Sequence, residues 1–197
     1  MKKPICVRQS NGACAELPVT RQAVPIRKRN SSCRKLQTDY LDLYLIHWPK
    51  NDAHDPAWLE KVQASWAAME ALYEQGKVRA IGLSNFLPHH IRPLLETARI
   101  RPMIDQLELH VGYMQEYALA YLRKQDILPQ AWSPLGRARL LCDPDIQRGI
   151  PVIPKSSSKE RMLENLDIFG FTLSADDMSY LSCLNERGWS GEHPDAE

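Results

Sequence analysis

The run LDLYLIHWP at residues 41–49 is the segment from which the fold of this chain can be worked out. Its first six residues are mostly apolar and rich in β-forming side chains, as expected of a strand that is buried on both faces. Outward along the chain, similar short apolar runs recur at residues 78–83, 103–109, 127–132 and 151–154. The sequence therefore predicts five strands, the first of them at residues 41–46.

Helical patterns fill the intervals between these strands. Asp55 and Pro56 form a suitable N-cap and first turn, apolar residues then recur three or four positions apart, and Gly76 ends the helix. Further helices are predicted at residues 88–98, 113–124, 159–166 and 175–184, the last with a capping box between Ser174 and Asp177. Strict alternation of strand and helix indicates a parallel sheet, either a barrel or a doubly wound open sheet.

Polar residues at the strand ends distinguish these two architectures. They follow the carboxyl ends of the five strands in order: His47, Ser84 with Asn85, His110, Ser133, and Lys155 with Ser156. Residues in that position of a β/α barrel face the active site. An open dinucleotide-binding sheet would carry a G-x-G-x-x-G turn after its first strand, and this sequence has none. The pattern favours a barrel.

Composition separates a basic extension from the rest of the chain. The 197 residues carry a net charge of +1 and are 44% hydrophobic, as is typical of one globular domain. Residues 1–37 nevertheless hold nine Lys or Arg against the single acid Glu16, whereas residues 38–197 hold sixteen against twenty-three. We expect residues 1–32 to form an irregular basic extension and residues 33–197 to form the folded part.

The sequence shows no membrane or secretion signal and no pattern of metal ligands. No run of residues is long and apolar enough for a membrane span or a signal peptide, so a cytoplasmic location is expected. The five cysteines, at positions 6, 14, 33, 142 and 183, show no C-x-x-C pair. They are interpreted as free thiols, and no metal site is predicted.

Five motifs in order resemble those of the aldo-keto reductases. They are LQTDYLDLYLIHWP (36–49), GKVRAIGLSNF (76–86), DQLELH (105–110), AWSPLGRARLL (131–141) and IPKSSSKERMLENL (153–166). The similarity is strongest to the bacterial branch that contains the diketogluconate and methylglyoxal reductases. The resemblance implies a (β/α)8 TIM barrel, here a partial one of about five strands, which binds NADPH and reduces aldehydes or ketones to alcohols.

The resemblance also implies a role for individual residues. His47 would be the catalytic histidine that orients the substrate carbonyl, and both His47 and Trp48 would bind the substrate. The implied cofactor-binding residues are Ser84, Asn85, Gln106, Trp132, Ser133, Leu135, Lys155, Ser156, Arg161, Glu164 and Asn165.

These cofactor-binding residues divide by the part of NADPH that each would contact. The first three would hold the nicotinamide carboxamide, Trp132 would stack on the ring, and Ser133 and Leu135 would meet the pyrophosphate. Lys155, Ser156 and Arg161 would bind the 2′-phosphate of the adenosine ribose, and Glu164 and Asn165 would contact the adenine. Cations and a hydroxyl near a helix start suit such an anion, which supports a preference for NADPH over NADH.

Two departures from the family pattern bear on activity. The five strands correspond to the last five of eight, so the chain is expected to be truncated at its N-terminal side. Residues 1–37 contain no Tyr and no Asp, and the family's catalytic Tyr, Lys and Asp have no counterpart here. A crossover helix between residues 133 and 151 is also expected to be deleted, because proline and glycine interrupt that stretch. We expect impaired or absent reductase activity.

Other functions remain open at this point. The chain could be a non-catalytic NADP(H)-binding protein, or its basic extension could bind polyanions. Nucleic acid is a poorer candidate because the extension has no interleaved aromatic residues. The two edges of an open five-stranded sheet also predict self-association.

Overall fold

The structure is a computed structural model. It describes residues 16–17, 33, 37–50, 52, 54–110, 112–134, 150, 152–153, 158–164, 172–183, 188–189 and 193–195.

Strands and helices alternate along the described part of the chain. The strands are β1 (Glu16–Leu17), β2 (Tyr44–Ile46), β3 (Ile81–Ser84), β4 (Ile104–Glu108), β5 (Leu128–Trp132) and β6 (Val152–Ile153). The helices are α1 (Trp58–Glu74), α2 (Pro88–Leu95), α3 (Glu116–Lys124), α4 (Lys159–Glu164) and α5 (Ala175–Ser182). The chain divides into two compact units within β4, after Asp105, with residues 194–197 belonging to the first unit.

The first unit is built on parallel strands. β1 pairs with β2 and β2 pairs with β3, with Leu45 opposite Gly82 in the second pair. On the other side of β3, the N–H of Met103 donates a hydrogen bond to the carbonyl of Ile81 at 3.0 Å. Met103 directly precedes β4 in the chain. This arrangement brings the carboxyl ends of β2 and β3 side by side, as a parallel sheet requires.

Side chains on both faces of this sheet are buried. Leu43, Leu45, Ala80 and Ile104 form one apolar cluster, against which Met103 packs. The intervening side chains of β2 are buried as well, so that all three of its residues are inaccessible to solvent. This confirms the prediction of a strand buried on both faces.

The helix α1 covers the sheet with one apolar face. Val62, Trp66, Met69 and Leu72 are all buried, and they recur three or four positions apart, so that they share one side of the helix. The helix packs on β2, β3 and α2. It starts two residues later than its predicted first turn at Pro56, after the carboxylate of Asp55 accepts the N–H of Ala57 at 3.0 Å.

The second unit contains the end of β4 together with β5, β6 and the helices α3 to α5. β5 and β6 are parallel, with Trp132 opposite Ile153. Ala118, Leu119 and Leu122 are the buried residues of α3. The predicted capping box of α5 is confirmed, since the Ser174 hydroxyl accepts from the Asp177 N–H at 3.1 Å and the Asp177 carboxylate accepts from the Ser174 N–H at 3.0 Å.

The predicted α/β class and the order of five strands are confirmed, with two differences in detail. The regular elements are shorter at their ends than the sequence patterns, because terminal residues such as Leu41 and Val78 form an isolated bridge only. A further two-residue strand, β1, lies within the basic extension. The predicted residue ranges that reach into 135–149 or 165–171 lie outside the described residues.

Among the described residues, no helix has both the length and the apolar character that a membrane crossing requires.

Candidate functional site

His47 and Asn85 meet at the adjacent carboxyl ends of β2 and β3. The Nδ2 group of Asn85 donates to the backbone carbonyl of His47 at 3.0 Å and lies 3.2 Å from the hydroxyl oxygen of Ser84. Asn85 has a φ of +63°, a left-handed conformation that Asn tolerates better than most residues. The turn is thus fixed by both its backbone and its side chain.

The exposure of these residues suits a site with a buried floor. Ser84 and Asn85 are buried, whereas the rings of His47 and Trp48 are half-buried. The two rings meet edge to face with centroids 5.7 Å apart. An imidazole that is neither enclosed nor fully solvated can contact an incoming ligand, and an indole beside it offers an apolar wall.

In the second unit, the predicted residue Gln106 is held by a residue that the sequence analysis did not single out. Its Nε2 donates to Oε1 of Gln130 at 2.8 Å, and both side chains are buried. The pattern that could have identified Gln130 is an amide in an apolar strand, on the same face as Gln106 of the neighbouring strand. The pair fixes the rotamer of Gln106.

Trp132 lies at the end of β5 within a group of aromatic rings. The centroid of Trp189 lies 6.2 Å from that of Trp132, 5.6 Å from that of Tyr113 and 5.3 Å from that of His193. Ser133 follows with a φ of +52°, and both Trp132 and Ser133 are half-buried. The indole Nε1 of Trp189 is buried and has no hydrogen-bond partner among the described residues.

Tyr44 is the tyrosine nearest in sequence to His47, but it cannot act as a proton donor. Its side chain is inaccessible to solvent, and burial, together with the neighbouring Cys33, raises the pKa of the phenol far above its ordinary value of 10.

Asp195 joins two histidines and a lysine of the first unit, and we refer to Lys50, His89, His90 and Asp195 as the Asp195 cluster. The carboxylate lies 2.9 Å from Nε2 of His90, 3.1 Å from Nε2 of His89 and 3.4 Å from Nζ of Lys50. His90 is fully buried, although it is a titratable residue next to the exposed His89. Burial makes this histidine part of the packing of α2.

The Asp195 cluster contains metal-ligand side chains, but its hydrogen bonds disfavour a metal ion. The backbone N–H of Leu87 donates to Nδ1 of His90 at 3.2 Å, so the proton of the neutral ring sits on Nε2 and points to Asp195. A metal ion would need the lone pair of that same nitrogen. The ammonium group of Lys50 adds a positive charge beside the carboxylate. We interpret the cluster as a structural one, in which hydrogen bonds and ion pairs hold Asp195 against Lys50, His89 and His90.

Apart from Ser133, the residues predicted to bind the phosphates and the adenine are outside what the structure describes in side-chain detail. Leu135, Lys155, Ser156 and Asn165 lie outside the described residues. The backbones of Arg161 and Glu164 belong to α4. Their assignment to the cofactor therefore stays a prediction.

Comparison with known proteins identifies the family. Residues 23–145 match the model of the Aldo/keto reductase family. Glyoxal reductase of Bacillus subtilis is 41% identical over 184 residues, covering 83% of this chain and 64% of that protein. The 9,11-endoperoxide prostaglandin H2 reductase of Trypanosoma cruzi is 38% identical over 183 residues, covering 81% of this chain and 62% of that protein.

Solved structures agree with the sequence relatives. MGS-M4, an aldo-keto reductase from a Medee basin deep-sea metagenome library, superposes with a TM-score of 0.76 at 34% identity, covering 88% of this chain and 70% of that one. A variant of Gox0644 in complex with NADPH superposes with a TM-score of 0.79 at 33% identity, covering 89% and 70%. This chain belongs to the aldo/keto reductase family. It spans less than two thirds of the length of the curated relatives it matches, 64% for the glyoxal reductase.

Proposed function

We propose that this chain binds NADPH and reduces small aldehydes or ketones at His47, slowly for a member of its family. The observation that carries the proposal is the hydrogen bond from Asn85 to the carbonyl of His47, which fixes the carbonyl-binding histidine next to the Ser84–Asn85 turn. The family resemblance assigns these residues to the substrate and the nicotinamide carboxamide. Ser84 and Asn85 are buried and have uncharged polar side chains, which suits an amide ligand.

The donor groups match the chemistry of a carboxamide. A carboxamide offers one carbonyl acceptor and two N–H donors, so it pairs best with hydroxyl and amide side chains. Ser84, Asn85 and Gln106 are side chains of these kinds, and all three are buried. When bound, NADPH supplies a hydride, and the residues of this chain hold and orient the nicotinamide ring.

Proton supply is the weak step in this proposal. Hydride addition to a carbonyl builds negative charge on its oxygen, and a positioned acid that quenches this charge contributes about 10²- to 10⁴-fold to the rate. Burial removes Tyr44 from this role. His47, half-buried at the strand end, would have to orient the carbonyl and donate the proton itself.

The proposed substrates are small carbonyl compounds such as glyoxal. The relative with 41% identity carries the name glyoxal reductase, which supports this choice of substrate class. Another relative, 33% identical, is a morphine 6-dehydrogenase of Pseudomonas putida, so larger alcohols are the comparison to include.

A titration combined with a turnover assay tests the proposal. We expect saturable quenching of NADPH fluorescence and slow glyoxal-dependent loss of NADPH absorbance. His47→Ala should reduce kcat/KM by about 10²-fold with little change in the Kd for NADPH. His54→Ala, which alters an exposed histidine, is the matched control. The absence of saturable quenching would refute the proposal.

A second candidate is a non-catalytic NADPH-binding protein. The burial of Tyr44 favours it, because no described tyrosine other than Tyr44 lies on β2 or β3. Saturable quenching with glyoxal turnover at the rate of a protein-free blank would select this candidate. Binding of polyanions by the basic extension rests on the sequence alone, and salt-dependent retention on heparin would test it.

A further inference from the structure

Gln130 is a buried glutamine to which the proposed function gives no role. Its Oε1 accepts a hydrogen bond from Nε2 of Gln106 at 2.8 Å, and both side chains are buried. A hydrogen bond between two buried amides is costly to break, because each group that loses its partner keeps the full penalty of desolvation. The pair is therefore a fixed feature of the second unit.

The strand that carries Gln130 also carries Trp132, the residue predicted to stack on the nicotinamide ring. β4 and β5 are neighbours in the sheet, and the N–H of Leu109 donates to the carbonyl of Trp132 at 3.4 Å. Side chains two positions apart in a strand point to the same face, so Gln130 and Trp132 share one face of β5. The hydrogen bond to Gln130 places Gln106 on this face as well. One face of the two strands thus holds a predicted carboxamide ligand, a predicted ring-stacking residue and Gln130.

The direction of the hydrogen bond decides which edge of the Gln106 amide faces Gln130. The donor Nε2 and the acceptor Oε1 are attached to the same carbon, so Oε1 is turned away from Gln130 when Nε2 is turned toward it. A carbonyl oxygen has two lone pairs and can accept a hydrogen from a ligand in addition to a partner within the protein. The NH₂ group of a carboxamide is a donor of the kind that this oxygen would accept.

We infer that Gln130 is a positioning residue, which orients the Gln106 amide so that its carbonyl oxygen accepts from the NH₂ group of the nicotinamide carboxamide. The orientation of the pair stands on its own hydrogen bond. Its consequence for NADPH rests on the proposed function, because it assumes that Gln106 contacts the carboxamide.

A coenzyme analogue separates this role from simple packing. The acetylpyridine analogue of NADPH carries a methyl ketone in place of the carboxamide, so it keeps the carbonyl oxygen and lacks the NH₂ donor. We expect the wild type to bind this analogue about tenfold more weakly than NADPH, as for the loss of one hydrogen bond. Calorimetric titrations measure the ratio of the two Kd values, which a loss of packing alone would leave unchanged. Equal Kd values in the wild type would overturn the inference.

Two substitutions of Gln130 test whether this residue sets the preference. Gln130→Met keeps the length of the side chain and removes the acceptor, so the variant should bind NADPH about tenfold more weakly and bind the analogue equally well as NADPH. Gln130→Glu keeps an acceptor oxygen and should retain the preference for NADPH. Gln125→Met, which alters a half-buried glutamine of the same unit, is the control and should change neither Kd. A Met variant with the wild-type preference would contradict the positioning role.

Nuclear magnetic resonance of the unliganded wild type covers the case in which the Met variant does not fold. In protein labelled with nitrogen and carbon isotopes, we expect a scalar coupling across the hydrogen bond from Nε2 of Gln106 to Cδ of Gln130. A coupling in the reverse direction, or none, would overturn the inference. If the wild type binds neither NADPH nor the analogue, the proposed function fails, while this coupling still decides whether Gln130 orients Gln106.

Discussion

The side chain of Asn85 is hydrogen-bonded to the backbone of His47, with 3.0 Å between Nδ2 and the carbonyl oxygen. The two residues end adjacent parallel strands and are 38 positions apart in the chain. The bond therefore ties together the ends of β2 and β3, where the family resemblance places the reacting carbonyl and the carboxamide.

Asn85→Ala should lower the free energy of unfolding by about 2 kcal/mol. About half of this comes from the lost hydrogen bond and about half from placing alanine in a left-handed conformation. Asn85→Gly also removes the bond, but glycine adopts the left-handed conformation without strain. This variant should therefore lose only about 1 kcal/mol of unfolding free energy. Urea denaturation of both variants measures the two contributions. A glycine variant as stable as wild type would show that the bond to His47 contributes nothing.

Glu70 should be among the most important charged residues for stability. Its buried carboxylate accepts from the backbone N–H of Arg99 at 2.7 Å and of Ile100 at 2.8 Å, which locks the loop before β4. Glu70→Ala leaves two N–H groups without their partner and should cost about 3 kcal/mol. Glu74→Ala, which removes an exposed contact to the same arginine, should cost less than about 0.5 kcal/mol. Thermal or urea unfolding checks both values, and similar losses would contradict the assigned roles.

Acid should destabilise the first unit through His90. Burial, and then the nearby His89, lower the pKa of His90 from 6.5 to about 4, against the opposing effect of Asp195. The unfolded chain therefore takes up this proton at a higher pH than the folded chain. Stability is fully present above pH 6.5 and falls as the pH drops toward 4, by up to about 3 kcal/mol.

Urea denaturation at a series of pH values measures this slope. His90→Gln should flatten it between pH 6.5 and 4, whereas His89→Gln, at an exposed ring, should keep most of it. Asp195 has a lowered pKa, because hydrogen bonds and charges from His89 and His90 outweigh its partial burial, so its own contribution is lost at still lower pH. An unchanged slope in the His90 variant would refute the assignment.

Two glycines should respond differently to alanine. A Cβ at Gly82 would lie 2.5 Å from the carbonyl oxygen of Ile104 and 2.9 Å from Cδ2 of Leu45, too close for either strand to accommodate. Gly82→Ala should cost about 3 kcal/mol or more. Gly76, at a φ of +68°, has no atom within 4 Å of that position, so Gly76→Ala should cost only about 1 kcal/mol from the backbone conformation. Urea denaturation compares them, and equal losses would show that β3 and β4 can move apart.

The sequence predicted the succession of elements because hydrophobic periodicity is a local property. The buried β2 and the amphipathic α1 both follow from side chains within one segment. The polar strand ends were also predictable, since the end of an apolar run is visible in the sequence. For the same reason, Ser84 and Asn85 could be named before their contacts were known.

Contacts between distant segments could not be predicted in this way. The burial of His90 depends on Asp195, which lies 105 positions away, and nothing local marks either residue as a partner. β1 is only two residues long and is defined by its pairing with β2. Asp105 sits in an apolar strand, but only the structure shows that its carboxyl is fully buried.

The separation between His90 and Asp195 has a consequence for synthesis of the chain on the ribosome. Helix α2 emerges early, yet the acceptor for the Nε2 proton of His90 is 105 residues downstream. Until Asp195 leaves the exit tunnel, the Nε2–H of His90 in the nascent helix has no carboxylate acceptor, and the ring is more stable in contact with water than buried. Final packing of α2 therefore waits until Asp195 has been synthesised and has emerged, and chaperones that recognise exposed apolar surface have this interval in which to engage the helix.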